Sequence, residues 1–103
     1  KVDYISSPGW LTGGDARAKA GFKRGGPFAV VTNQGVMRFH EQTKRMYLHE
    51  YYPGVSPQAI ADNCGFALDV SQAREGQAPS EVELKILREE VDPCRLILGP
   101  LPA

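Results

Sequence analysis

The chain has 103 residues, 12 basic and 12 acidic side chains, and 42% hydrophobic residues. That is enough for one domain or part of one. The cancelled charge leaves no field to attract nucleic acid or an anionic membrane, and no apolar run approaches the roughly 20 residues that span a bilayer. Val2 to Ser6 alternates weakly and reads as a short strand, broken by Ser7-Pro8-Gly9. The start at Lys1 has no signal-peptide layout and reads like the cut end of a fragment. Trp10-Leu11 is an apolar pair on a loop that runs into Thr12-Gly13-Gly14. Asp15 is placed to cap a short helix through Ala20, closed by Gly21 at the C′ position.

Lys23-Arg24-Gly25-Gly26-Pro27 is a basic, glycine-rich turn. Phe28 to Thr32 follows as a β-rich run, apolar at both Val30 and Val31, which predicts a strand in a covered sheet. Val36 to His40 and Arg45 to Tyr51 alternate around the polar turn Glu41–Lys44, which is a hairpin signal. The alternation puts Met37, Phe39, Met46 and Leu48 on one face. Arg38, His40, Tyr47, His49 and Tyr51 fall on the other.

The next helix is the clearest element. Ser56 is an N-cap, Pro57 occupies the first helical position, and Gly65 is placed to end the helix. Phe66 to Val70 reads as a short returning strand and Ser71 to Pro79 as an exposed connector. Ser80-Glu81-Val82-Glu83 is a capping box. It opens a helix with Leu84, Leu87 and Val91 on one stripe and Lys85, Arg88 and Glu89 outside, which Asp92-Pro93 ends. Leu96-Ile97-Leu98 is a last short apolar run.

Two cysteines, Cys64 and Cys94, suit a reducing, cytoplasmic setting and read as buried or half-buried free thiols. His40 and His49 lie at no recognisable metal-ligand spacing from them, so no metal site is expected. Two loops remain as candidates for holding an anion. Gly13-Gly14 precedes a helix start, where free N–H groups can meet phosphate oxygens, although the Asp15 carboxylate competes for the same donors. Lys23, Arg24, Gly25 and Gly26 join two cations to a flexible turn. Neither Glu41 nor Glu50 has the apolar, glycine-flanked setting of a carboxylate nucleophile.

Four stretches carry a resemblance: Ser7-Pro8-Gly9-Trp10-Leu11 with Gly13-Gly14-Asp15-Ala16-Arg17; Gly25-Gly26-Pro27 before Val30-Val31-Thr32; Gly35 to Phe39; and Pro53-Gly54-Val55-Ser56. Together they resemble the C-terminal part of the β subunit of family I coenzyme A transferases, the glutaconate and 3-oxoacid type. The match runs from about Val2 to Gly99, leaving 100–103 as a tail. The resemblance implies the C-terminal part of an open α/β sheet, with a β-hairpin and two or three helices. It implies transfer of coenzyme A from an acyl-CoA to a carboxylic acid through a glutamyl-CoA thioester. Coenzyme A would then be a substrate, with no permanently bound cofactor.

The implied partners are an α subunit and the N-terminal part of the β subunit, in a hetero-oligomer. Trp10, Phe22, Phe28, Tyr47, Tyr51 and Tyr52 are candidates for the α-subunit contact. The family's glutamate lies in a Ser-Glu-Asn-Gly-type stretch. No such stretch occurs here, so the 103 residues alone are expected to be inactive and no catalytic residue is assigned among them. Two alternatives stand beside this reading: a segment of a related hydrolase that opens cyclic coenzyme A thioesters, and a non-catalytic binding or assembly domain.

Overall fold

Strict alternation across a short polar turn builds the centre of the molecule. A computed structural model describes residues 4–100. In it β1 (Ala29–Val31), β2 (Gly35–Phe39) and β3 (Met46–Tyr51) form an antiparallel meander. A fourth strand, β4 (Arg74–Glu75), adds parallel to β3, giving one open mixed sheet in the order β1-β2-β3-β4. Three short helices accompany it: α1 (Ala16–Lys19), α2 (Pro57–Asp62) and α3 (Glu81–Ile86). The α/β architecture is therefore as expected.

The hairpin register contains one irregularity with large consequences. Val36 pairs with Glu50 but Met37 pairs with Leu48, so His49 is an extra residue in β3. Such a bulge reverses the alternation beyond it. Tyr51 therefore pairs with the buried Gly35 and packs against the core, instead of sharing the outer face with Tyr47 and His49. The core itself is Met37, Leu48, Ile60 and Leu68, with Leu48 wholly inaccessible. Ile60 reaches it because Ser56 caps α2 by accepting the Ala59 N–H at 3.0 Å, and Pro57 sets the first turn.

Other expectations need correction. The strand read over Val2–Ser6 lies partly outside the described residues, and residues 4–6 carry none. Asp15 stands at the start of α1 without capping it; its carboxylate pairs with Lys19 at 3.0 Å. β1 is an edge strand rather than a covered one, with Val31 71% exposed. α2 stops at Asn63, before Gly65. The 66–70 run contributes only a bridge between Asp69 and Tyr47, with the Asp69 carbonyl accepting the Leu48 N–H at 2.8 Å. The supposed connector 71–79 holds β4 instead, recruited by pairing with Glu50 and Tyr51 and not by its own polar sequence. The tail 100–103 lies outside the described residues except for Pro100.

The capping box forms as read. Ser80 Oγ accepts the Glu83 N–H and the Glu83 carboxylate accepts the Ser80 N–H, at 3.2 and 2.8 Å. Beyond Ile86 the helix widens into a π-helical segment, Leu87–Val91, which rotates Val91 off the Leu84–Leu87 stripe and leaves it exposed. Asp92 then does more than end a helix. Its buried carboxylate accepts the N–H groups of Leu96, Ile97 and Leu98 at 2.8, 3.1 and 2.8 Å, folding that run into a turn. The Leu98 bond foremost, then those from Leu96 and Ile97, holds its carboxyl below the ordinary value. Leu96 and Ile97 are thereby presented to solvent, Ile97 at 87%. Cys94 is exposed, not half-buried, and both thiols are free.

The radius of gyration is 16.9 Å, against about 13 Å for a compact domain of this length. Phe28, Val31, Val82, Val91, Leu96 and Ile97 all lie more than half exposed. No described helix is long and apolar enough to cross a membrane.

Candidate functional site

Both candidate loops converge on Trp10. Its indole N–H donates to the Pro27 carbonyl at 2.9 Å, which ties the first loop to the Lys23–Pro27 turn. Gly26, at φ +142°, lies flat against the six-membered part of the indole, where a Cβ would overlap it. Phe39 meets the ring edge-on at 6.4 Å. Lys44 Nζ stands 4.8 Å from the ring centroid, and the Arg17 guanidinium 5.9 Å from it and 5.1 Å from that of Phe22. Arg17 also donates to the Gly9 carbonyl at 3.0 Å. Trp10 is thus a packing hub between two loops and the hairpin turn.

Gly13 and Gly14 are stitched to that same turn. The Gly14 N–H donates to the Thr43 carbonyl at 2.8 Å, and a Cβ at Gly13 would meet that oxygen at 2.6 Å. The Gly14 donor is therefore engaged by backbone, and α1 is one turn long. Lys23, Arg24 and Gly25 are exposed, with no carboxylate within ion-pair distance of the two cations among the described residues. The structure brings Gly13, Gly14 and Gly26 to one place around Trp10 and leaves Lys23, Arg24 and Gly25 at its solvent side.

Two clefts flank the Trp10–Phe39–Lys44 wall. One, of about 240 Å³, is lined by Leu11, Arg45 and Phe66 among others. The other, of about 300 Å³, is lined by Phe28, Arg38, Glu41 and Tyr47. Lys44 reaches both from the hairpin turn, where it adopts a left-handed φ of +56° and donates its N–H to the His40 carbonyl at 2.8 Å. Nothing in the sequence around Lys44 announces that conformation, which asparagine or glycine would signal.

The outer hairpin face holds a polar chain. His40 lies 3.4 Å from Asp69 and stacks on Tyr47 at 4.4 Å; Tyr47 meets His49 edge-on at 6.3 Å; Arg74 lies 3.3 Å from His49 Nε2. Partial burial, then the Arg38 and Arg74 charges, lower the proton affinity of His49. The Ser71 hydroxyl donates to Asp69 at 2.6 Å and is the main cause holding that carboxyl down. The hydroxyl therefore points at a carboxylate and not at a base, so this is no nucleophile–histidine relay. The arrangement can bind and position an anion.

The family model described as coenzyme A transferase matches residues 1–63. The chain belongs to the coenzyme A transferase family. It is 49% identical over 94 residues to the β subunit of glutaconate CoA-transferase of Acidaminococcus fermentans, covering 90% of this chain and 35% of that protein. It is 34% identical over 89 residues to the β subunit of 3-oxoadipate CoA-transferase of Pseudomonas knackmussii, covering 85% of this chain and 34% of that one. The crystal structure of glutaconate coenzyme A-transferase from Acidaminococcus fermentans superposes with a TM-score of 0.91 at 46% identity, over 99% of this chain and 39% of that chain. The open sheet is therefore the fold of a coenzyme A transferase segment, and the chain spans about a third of the length of the curated relatives it matches.

Proposed function

We propose that the chain acts as the C-terminal part of a β-type coenzyme A transferase subunit, in transfer of coenzyme A from an acyl-CoA to a carboxylic acid. The observation that carries this is the 0.91 TM-score at 46% identity over nearly the whole chain. Glutaconate and 3-oxoadipate, in the relatives' names, are both dicarboxylates, so a dicarboxylic acid is the first substrate class to assay. The covalent glutamate of the family's chemistry would come from outside these 103 residues. The chain's own part is to complete the sheet and shape one side of the coenzyme A site.

The partners in this reading are an α subunit and the N-terminal part of the β subunit. Support comes from the apolar surface left open: the β1 edge with Phe28 and Val31, and the turn that Asp92 builds under Leu96 and Ile97. Exposed patches of this kind mark contact surfaces. Two free cysteines accord with a reducing, cytoplasmic location. Coenzyme A enters as substrate, and Gly13, Gly14 and Lys23–Gly26 form the wall nearest to it.

Native mass of the protein purified from its source tests the assembly. Recovery with an α-type subunit and an N-terminal β segment is expected; a free-standing folded species of the 11.3 kDa chain would overturn the reading. For the loop, the test is equilibrium binding of coenzyme A to the intact assembly with Lys23 and Arg24 both replaced by alanine. Weakened affinity is expected, and unchanged affinity would remove the loop from the site.

A further inference from the structure

The charge that cancels over the whole chain is not evenly spread. Between Asp15 and Arg45 there are seven basic side chains and two acidic ones; from Met46 to Pro100 there are four basic and nine acidic. The basic half contains the cleft of about 300 Å³ walled by Trp10, Phe28 and Tyr47. A cleft with one sign of charge on low-dielectric walls concentrates counter-ions.

Two cations of that cleft are held ready. Lys44 is fixed by its left-handed backbone with Nζ 4.8 Å from the Trp10 centroid. Arg38, on β2, lies with its guanidinium 5.0 Å from the Phe28 centroid, and its Nε is buried with no partner among the described residues. Neither meets a carboxylate within ion-pair distance among the described residues. Cations rested on aromatic faces lose little freedom when an oxyanion arrives, and guanidinium presents paired N–H donors to it. Phe28 is 74% exposed, which leaves ring surface for a planar base. Glu41 lines the same cleft and opposes an anion there.

Resting on the coenzyme A reading above, we infer that this cleft takes the phosphate-bearing nucleotide end of coenzyme A. Arg38 and Lys44 would bind phosphate oxygens and Phe28 would stack the base. The neighbouring Lys23–Arg24 loop then supplies field, not direct contact.

The test is equilibrium titration of the protein, with the subunits that accompany it, against coenzyme A, adenosine 3′,5′-bisphosphate and pantetheine. Lys44→Asn keeps the left-handed turn while removing the charge. It and Arg38→Gln are each expected to weaken bisphosphate binding about tenfold and leave pantetheine unchanged. Glu41→Gln is expected to tighten the bisphosphate by about threefold by removing a like charge. Arg88→Ala, on the far helix, is the control. Unchanged bisphosphate affinity in Lys44→Asn and Glu41→Gln, both at the hairpin turn, overturns the inference while coenzyme A binding keeps the transferase reading. Equal loss of pantetheine and bisphosphate also overturns it, since that is general disruption. Failure of the unsubstituted protein to bind coenzyme A removes the transferase reading and this inference with it.

Discussion

Replacing Gly26 with alanine puts the hub arrangement under direct strain. A Cβ at Gly26 would lie 2.6 Å from Cζ2 of Trp10 and closer still to Cη2, well inside van der Waals contact. The indole cannot simply swing away. Its N–H is bound to the Pro27 carbonyl at 2.9 Å, its face carries Lys44, and its edge abuts Phe39 at 6.4 Å. Overpacking of this kind costs about 1–3 kcal/mol. The φ of +142° is a region L side chains avoid, which adds about 1–3 kcal/mol. The expected loss is therefore about 2–6 kcal/mol, a large part of a stability of about 5–15 kcal/mol. Gly25→Ala is the companion variant. Gly25 sits at φ +66° with open space where a Cβ would go, so only the backbone preference of about 1–2 kcal/mol applies. Urea unfolding followed by emission of Trp10, the chain's single tryptophan, reads both stability and ring environment. A Gly26→Ala loss below about 1 kcal/mol, or one no larger than that of Gly25→Ala, refutes the reasoning.

Leu48→Ala empties the one wholly inaccessible core position and should cost about 3–5 kcal/mol by denaturant unfolding; a change under about 1 kcal/mol would mean that the four-residue core is not what holds the sheet. Ser80→Ala breaks the reciprocal cap of α3 and should cost about 1 kcal/mol, seen as faster amide exchange over Glu81–Leu84; unchanged exchange would show the cap to be idle. Asp92 has a folded-state pKa depressed below its ordinary 3.8. Its contribution is present above about pH 4 and fades as pH falls through the depressed value. Asp92→Asn should thus be less stable than the native chain at neutral pH, with the gap closing in acid unfolding; equal stability at neutral pH would count against the turn.

The parts of the fold that were legible in the sequence are those whose cause is local. The alternation of Met37 with Arg38 and of Met46 with Tyr47, the Ser56-Pro57 start and the Ser80–Glu83 box each encode their element within a few residues. What was hidden is set by pairing at a distance. The His49 bulge, which sends Tyr51 to the core, has no local signature, and β4 exists because Glu50 and Tyr51 offer an unpaired edge to Arg74 and Glu75. Asp92-Pro93 showed where a helix stops, but not that its carboxylate would gather three N–H groups from the following apolar run. At the candidate site, Gly13, Gly14 and Gly26 were visible as glycines that permit close approach. Which groups approach them, the Thr43 carbonyl and the Trp10 ring, became apparent only in three dimensions. The left-handed Lys44 was missed because lysine carries no such preference.

The central claim is coenzyme A transfer by the assembly that contains this chain. Its most direct test is to incubate that purified assembly with an acyl-CoA donor and a dicarboxylic acid such as glutaconate, and to follow both thioesters by mass. Transfer predicts that the donor thioester falls as the acceptor thioester rises in equal amount, with no free coenzyme A released. Release of free coenzyme A without an acceptor thioester, or no change in either, would contradict it.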